Sequence, residues 1–322
     1  MSHSPHKTGV IGLGAIGHVT LASMEAHDDY EVVCAWDPDP AACTRVKDAH
    51  PNVQIADSAD DVISHSETTA IYIASPPTSH VPYARATAEA GKCIFCEKPV
   101  GIDVAESEAL VELVAQRNVP NAINFNHTAA RGSTYLESQI RSGAAGDVTG
   151  VDIFIHLTKW PRDFQAHAAW LAGREQGGFT REMISHWVYL TRRLLGEGEI
   201  VSHRATFPND PHRSEIRLVA ELAFGGVPAV VNAACGGAGP VGTQYTLWAS
   251  ETSFMLQSGG KISQTDGEAW TLLSEDDDGE GEDDIARNIG AVARAFRGEP
   301  VTVATLEDGL AVQRIVEALI AN

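Results

Sequence analysis

The feature that most constrains this chain is the glycine run at residues 12–17, Gly12-Leu13-Gly14-Ala15-Ile16-Gly17. It directly follows a short apolar segment, 8–12, and opens an Ala-rich amphipathic one, 16–27. A strand that turns through glycines into a helix suits an anion. Gly12 permits the tight turn, Gly14 lets the backbone approach a pyrophosphate, and Gly17 lets helix and strand pack closely. The amides that open the helix, at Ala15 and Ile16, then meet the anion at the favourable end of the helix dipole. Glycines also make plain turns, so the context decides. A second apolar run, 31–36, ends at Asp37, about 20 residues past Gly17, where an acid binds adenine-ribose hydroxyls. The combination predicts a dinucleotide site. A carboxylate at Asp37 repels a 2′-phosphate and the next arginine is Arg45, so NAD is favoured, with NADP as the alternative.

The rest of the first 125 residues repeats the strand–helix alternation. Apolar runs at 53–56, 70–74, 92–96 and 122–125 are separated by helical stretches such as 81–90. That pattern predicts a parallel sheet with helices on both faces. After residue 126 the texture changes. A helix over 134–141 closes at Gly143 and Gly146, and longer β-like runs follow at 148–158, 201–207, 215–224, 229–235, 243–249 and 253–257. A helix over 181–195, closed by Gly196, interrupts them, and helices over 284–297 and 307–321 end the chain. Consecutive strands joined by turn residues predict an antiparallel sheet. A length of 322 residues suits two domains rather than one core. The fold class is therefore α/β: a doubly wound Rossmann domain over 1–125, then an α+β domain over 126–322 whose last helix can pack back on the first.

Composition excludes several partners. Lys plus Arg is 23 against 43 Asp plus Glu, a formal charge of -20, which repels phosphate backbones and anionic lipid, so neither nucleic acid nor membrane is expected. The acidic run at 275–284 reads as a solvated loop, and no regular ligand spacing supports a metal. Five cysteines and no secretory apolar core point to reduced thiols and the cytoplasm. Cys93 and Cys96 form a CxxC, but in a strand residues three apart face opposite ways, so they read as core cysteines.

Two further motifs follow the fourth and fifth strand candidates, where carboxyl ends face the ligand crevice of such sheets. Ser75-Pro76-Pro77-Thr78-Ser79-His80 suits a cofactor loop, and equally a turn in which Thr78 or Ser79 caps the next helix. In Cys96-Glu97-Lys98-Pro99 a lysine can hold a substrate oxygen, and Pro99 suits a cis bond. Alone, the Glu97–Lys98 pair equally suits a surface ion pair.

In this order and spacing, GLGAIG, Asp37, SPPTSH and EKP resemble the Gfo/Idh/MocA oxidoreductase family. INFNHTAARGSTYLESQIRSGAAGDV resembles its crossover into the second domain, and GGFTREMISHWVYLTRRLLG its active-site helix. The resemblance implies an open, mostly antiparallel second sheet, through whose face dimers or tetramers form. It implies NAD(P)-linked hydride transfer to or from a small polar substrate such as a sugar, cyclitol or cyclic ketone. Lys98 matches the family's catalytic lysine, Glu97 and Pro99 the residues that frame it and the nicotinamide, and His186 the acid/base histidine. Asn126 and His127 fall near the nicotinamide. Glu182 stands where an aspartate is usual, Tyr189 where many members have another, and Ile184 where a small residue is common. The departures leave the cofactor intact and put the substrate in question.

On a regular helix Glu182 and His186 share one face, which Tyr189 and Arg193 continue, beside an apolar stripe of Met183, Trp187, Leu190 and Leu194. Lys98, His186 and Glu182 are the catalytic candidates. Trp160 and Arg162 are weaker substrate candidates, Arg162 for a carboxylate and Trp160 for ring stacking, although packing suits both Trp160 and Trp170 better. His156 and Lys159 lie in the same stretch. Two rival functions stand beside the dehydrogenase. An imine reductase would use Glu182 against a cationic iminium. A non-catalytic NAD(P) sensor would need neither Lys98 nor His186.

Overall fold

The computed structural model describes residues 4–258, 260–274 and 284–321. The acidic run 275–284 therefore lies outside the described residues except for Asp284. The chain forms two compact units, Met1–Ala129 with Glu282–Ala311, and Ala130–Gly281 with Val312–Asn322. The stretch from 284 to 311 thus belongs with the first unit, where the sequence pattern had placed 126–322 in the second with only its last helix able to pack back on the first.

Unit one is built on six parallel strands: β1 (His6–Ile11), β2 (Tyr30–Trp36), β3 (Gln54–Ile55), β4 (Ala70–Ile73), β5 (Cys93–Glu97) and β6 (Asn121–Asn124). Their order is β3-β2-β1-β4-β5-β6. This is the doubly wound arrangement, with the topological switch between β1 and β4. The crossovers carry α1 (Ala15–Glu25), α2 (Pro40–Ala49), α3 (Ala59–Ser64), α4 (His80–Glu89) and α5 (Val104–Arg117). Strands buried on both faces need unbroken apolar runs, and β4 is buried at every position. Helix α8 (Asp284–Phe296) joins this unit because Ile289, Val292, Ala293 and Phe296 bury against the core of Val10, Leu21, Tyr30 and Phe95. The Tyr30 hydroxyl also donates to the Ile289 carbonyl at 2.7 Å.

Unit two holds eight strands in the order β14-β13-β12-β11-β7-β10-β9-β8. They are β7 (Val148–Leu157), β8 (Gly198–Thr206), β9 (Arg217–Phe224), β10 (Val227–Cys235), β11 (Gly242–Ala249), β12 (Ser253–Gln257), β13 (Ile262–Thr265) and β14 (Thr271–Ser274). All neighbours pair antiparallel except β10 with β7, so the sheet is mostly antiparallel. Strict in–out alternation on β7, β9 and β10 leaves one face buried and one exposed. Helix α6 (Arg131–Ser142) precedes the sheet, α7 (Ser185–Leu195) follows β7, and α9 (Leu306–Ile320) ends the chain, with the division between units falling inside it.

The start of α7 departs from the regular helix expected over 181–195. Residues Thr180–Ile184 form a π-helical turn, and only then does α7 continue. Such a turn is wider than an α turn. Here it is clamped from outside. Glu215, 2% exposed, accepts the Thr180 amide at 2.7 Å, and at Gly178 (φ +108°) a Cβ would stand 2.8 Å from Glu215 Oε2. Arg181 donates to the Arg174 and Gly177 carbonyls and, through two nitrogens, to Glu317 on α9 at 2.6 and 2.7 Å. Burial pushes the Glu215 carboxyl up, against the Thr180 contacts and Arg181. A folded pKa above the unfolded one stabilises most below the unfolded value, and that stability is lost as pH rises through the folded value. Glu215→Gln keeps an oxygen for the Thr180 amide. Its unfolding free energy in urea, relative to wild type, should therefore improve from about pH 4.5 to pH 7.5. A difference that stays constant or worsens over that range contradicts the buried-charge account.

Candidate active site

In unit one the glycine run does three separate jobs. Gly12 has φ +97°, and a Cβ there would lie 2.5 Å from the Ala74 carbonyl. At Gly17 a Cβ would lie 2.0 Å from the Gly12 oxygen, so helix and strand touch through backbone alone. Around Gly14 a Cβ would meet nothing within 4 Å. Gly14 is also the N-cap of α1, and no side chain caps the helix there. Open space beside uncapped amides at a helix start fits a pyrophosphate, so Gly12, Gly14, Ala15, Ile16 and Gly17 could hold a dinucleotide. Asp37 follows β2 directly. Its carboxylate accepts the Leu13 amide at 2.6 Å and the Asp39 amide at 2.8 Å, which ties the acid to the glycine loop.

The loop after β4 differs from the capped turn that was one expectation. Residues Pro77–Ser79 form a short 3-10 turn that runs straight into α4. Ser79 stands at the N-cap position of α4 but its side chain makes no capping bond; its Oγ turns back to Ser75 Oγ at 2.7 Å and the Pro76 carbonyl at 2.8 Å. Ser75 is half-buried and Pro76 exposed, as cofactor-loop residues can be. His80 was counted with them, and the structure gives it a different part. Its ring is fully buried, with Nδ1 2.7 Å from the Pro99 carbonyl and Nε2 2.7 Å from the Ser75 carbonyl. Both nitrogens are engaged with backbone, so His80 ties the Ser75 and Pro99 loops together. Burial lowers its pKa first, the two carbonyls oppose that, and the Lys98 ammonium adds to the lowering.

Lys98 is 9% exposed and precedes a cis bond to Pro99. The adjacent Glu97 is anchored. Tyr72 Oη donates to Glu97 Oε1 at 2.6 Å and Asn124 Nδ2 donates to the same oxygen at 2.5 Å. Neither Tyr72 nor Asn124 was singled out from sequence, because each sits in an apolar strand where the chain pattern shows only core. Burial and the Glu97 charge hold Tyr72 well above the usual phenol range, so it stays a donor. Asn126 is exposed just beyond the end of β6. Cys93 and Cys96 both lie in β5, and all five cysteines are free thiols.

In unit two the residues around the π turn form a second cluster. Glu182, half-exposed, accepts from Gln165 Nε2 at 3.1 Å and lies 3.8 Å from Arg162 Nη2. Arg162 Nε in turn donates to Gln165 Oε1 at 2.9 Å, and its guanidinium lies over Phe164 at 4.6 Å and Trp160 at 5.9 Å. Burial lowers the Arg162 pKa and Glu182 opposes it. Gln165, missed from sequence, is the link. Trp160 donates its indole N–H to the Leu171 carbonyl at 2.8 Å, which favours its packing role. His186 is nearly buried, and so is Tyr189. The stripes expected of a half-exposed helix do not hold. Ser185 to Thr191 are buried on every side, while Met183 and Leu194, expected inside, are only half-buried. Trp187 stacks on Tyr245 at 5.3 Å, and Arg193 is in an ion pair with Glu137 of α6.

These features define a two-unit nucleotide-binding protein with a doubly wound first unit. Residues 6–125 match the oxidoreductase family with an NAD-binding Rossmann fold, GFO_IDH_MocA. Over these residues the chain is similar to the Gfo/Idh/MocA family. It is 30% identical to inositol 2-dehydrogenase of Rhizobium meliloti over 198 residues, 62% of this chain and 57% of that protein. It is 27% identical to levoglucosan dehydrogenase of Pseudarthrobacter phenanthrenivorans over 212 residues, 60% of this chain and 52% of that one. The chain thus spans little more than half the length of these relatives. The WlbA dehydrogenase of Bordetella pertussis, crystallised with NADH and UDP-GlcNAcA, shares the fold at TM-score 0.82 and 19% identity over 98% of this chain and 95% of that one. Among the described residues no helix is long and apolar enough to cross a membrane, and no group of three or more His, Cys, Asp and Glu could hold a metal.

The glycine geometry separates fold from binding. Gly14→Ala should shift the urea unfolding free energy by about 1 kcal/mol or less yet weaken NADH, measured by fluorescence titration, at least about tenfold. Gly12→Ala should instead unfold the unit at markedly lower urea. Equal effects of the two on stability contradict this assignment.

Proposed function

We propose that this chain is an NAD-dependent dehydrogenase or reductase that transfers a hydride to or from a small polar substrate: a cyclitol, sugar or cyclic ketone. The observation that carries the reading is Lys98, a nearly buried ammonium at the carboxyl end of β5 in an NAD-binding Rossmann unit. The inositol and levoglucosan dehydrogenase relatives support the substrate class. The nicotinamide ring, when bound, supplies or accepts the hydride. In the oxidising direction His186 removes the hydroxyl proton as the carbon gives up its hydride, and Lys98 holds the oxygen that becomes the carbonyl. Histidine suits this because it titrates near neutral pH and works in both directions. Glu182, steadied by Gln165 and Arg162, orients the substrate or His186, and Trp160 with Arg162 belongs to the substrate side.

Asp37 favours NAD over NADP. Its carboxylate is fixed by the Leu13 and Asp39 amides, which suits a ribose diol and repels a 2′-phosphate. The imine-reducing alternative needs a Glu182 charge ready for an iminium, but Arg162 already lies 3.8 Å from that carboxylate. Free thiols suit a reducing compartment such as the cytoplasm.

The exposed face of the unit-two sheet supports a homo-oligomer, dimer or tetramer. Phe154, Val219, Val230 and Trp248 are exposed on four adjacent strands, and a second copy of the chain would cover them. Sedimentation velocity should show a multiple of the chain mass that Val230→Lys converts to monomer; a wild-type monomer ends that proposal.

The reaction is tested by a screen of cyclitols, aldoses and keto sugars at the NADH absorbance band. Lys98→Met should slow turnover of the best substrate about 100- to 1,000-fold while NADH affinity stays within about threefold. Near-normal turnover in that variant removes Lys98 from the chemistry.

A further inference from the structure

Helix α8 brings one polar residue of its own into unit one, Asn288, which is only 5% exposed. Its Nδ2 donates to Asn124 Oδ1 at 2.6 Å, and Asn124 Nδ2 donates to Glu97 Oε1 at 2.5 Å. Tyr72 donates to that same Glu97 oxygen at 2.6 Å, and its hydroxyl is 3.2 Å from Thr20 Oγ1.

An asparagine amide is two-ended, with donors on one side and an acceptor on the other. Asn124 alone could turn either end to Glu97. With Asn288 donating into its oxygen, only one orientation keeps both contacts. The reverse would set Asn124 Oδ1 against the Glu97 carboxylate and bring two NH2 groups together, two unfavourable contacts in place of two hydrogen bonds. Asn288 keeps its own amide turned this way although its buried Oδ1 then has no hydrogen-bond partner among the described residues. An unsatisfied buried acceptor is costly, so the contact with Asn124 is what sets the orientation.

We propose that Asn288 is a positioning residue. Through Asn124 it holds the Glu97 carboxylate in the orientation that the Lys98 loop and a bound dinucleotide require. This rests on the dehydrogenase reading above together with the part that the family resemblance implies for Glu97, framing Lys98 and the nicotinamide. It assigns a role in that site to a residue far along the chain, on the helix that returns to unit one.

The deciding variant is Asn288→Asp in the full chain, which keeps the shape but offers Asn124 only acceptors and so turns its amide round. Two readouts apply: the 1H–15N side-chain amide resonances of Asn124, assigned with Asn124→Ser, and NADH affinity from about pH 5 to pH 8. Asn288→Asp should displace the Asn124 resonances and weaken NADH about tenfold at neutral pH, the size expected for one hydrogen bond to a charged group. The loss should shrink toward low pH as carboxylates take up protons, and in a Glu97→Gln background it should fall below about twofold. A merely structural role would cost the same in both backgrounds and at every pH. Wild-type NADH affinity with unmoved Asn124 resonances, or equal losses in the two backgrounds, would overturn the proposal. If Asn288→Asp does not fold, Asn288→Ala carries the same comparison with the Asn124 resonances freed rather than reversed. If the wild-type chain binds no dinucleotide, the dehydrogenase reading fails, and the resonances still decide whether Asn288 holds Asn124.

Discussion

The rest of unit one depends on a contact between backbones. Gly17 sits so close to the Gly12 carbonyl, and Gly12 to the Ala74 carbonyl, that no side chain fits at either position. That closeness brings the start of α1 to the switch between β1 and β4, where the sheet order reverses. The strands beyond the switch end in the other elements of the candidate site: the Ser75 loop after β4, the Glu97–Lys98–Pro99 run at the end of β5, and Asn124 on β6. Parallel pairing fixes their spacing, since Ile73 pairs with Cys96 and Glu97 with Asn124. The candidate site is thus built from strand ends that the sheet register places side by side.

Polar groups in this setting hold one another in place before any ligand is considered. His80 bridges the Ser75 and Pro99 loops, and Tyr72 and Asn124 converge on Glu97. Unit two does the same with different means, Glu215 and Arg181 anchoring the π turn while Gln165 links Arg162 to Glu182. In both units the candidate residues are oriented by hydrogen-bonded neighbours, an arrangement that rigid sites require.

What was legible in the sequence follows from this division. Gly12, Gly14, Gly17 and Asp37 were readable because a phosphate turn and a strand-end acid leave a fixed spacing in the chain. The six strands of unit one were readable because most lie in apolar runs, although β3 shrinks to Gln54–Ile55 and β6 begins and ends on asparagine. β13 and β14 were not, since Ile262–Thr265 and Thr271–Ser274 are short and partly polar. Nor was the π turn, because a widened turn leaves no periodicity of its own. Tyr72, Asn124, Gln165 and Glu215 were hidden because hydrogen bonds between distant strands carry no local pattern. His80 was noticed for its place, but its bridging of two loops was hidden, since the chain does not show that both ring nitrogens meet carbonyls.

The return of α8 to unit one makes that unit discontinuous. A ribosome delivers β1 through β6 before the second sheet, yet the apolar surface that Ile289, Val292 and Phe296 cover stays bare until that sheet has also been made. The second sheet is thus synthesised while the first domain is still missing a piece of its core. A nascent chain of this design carries a sticky apolar face for as long as its second sheet is being made.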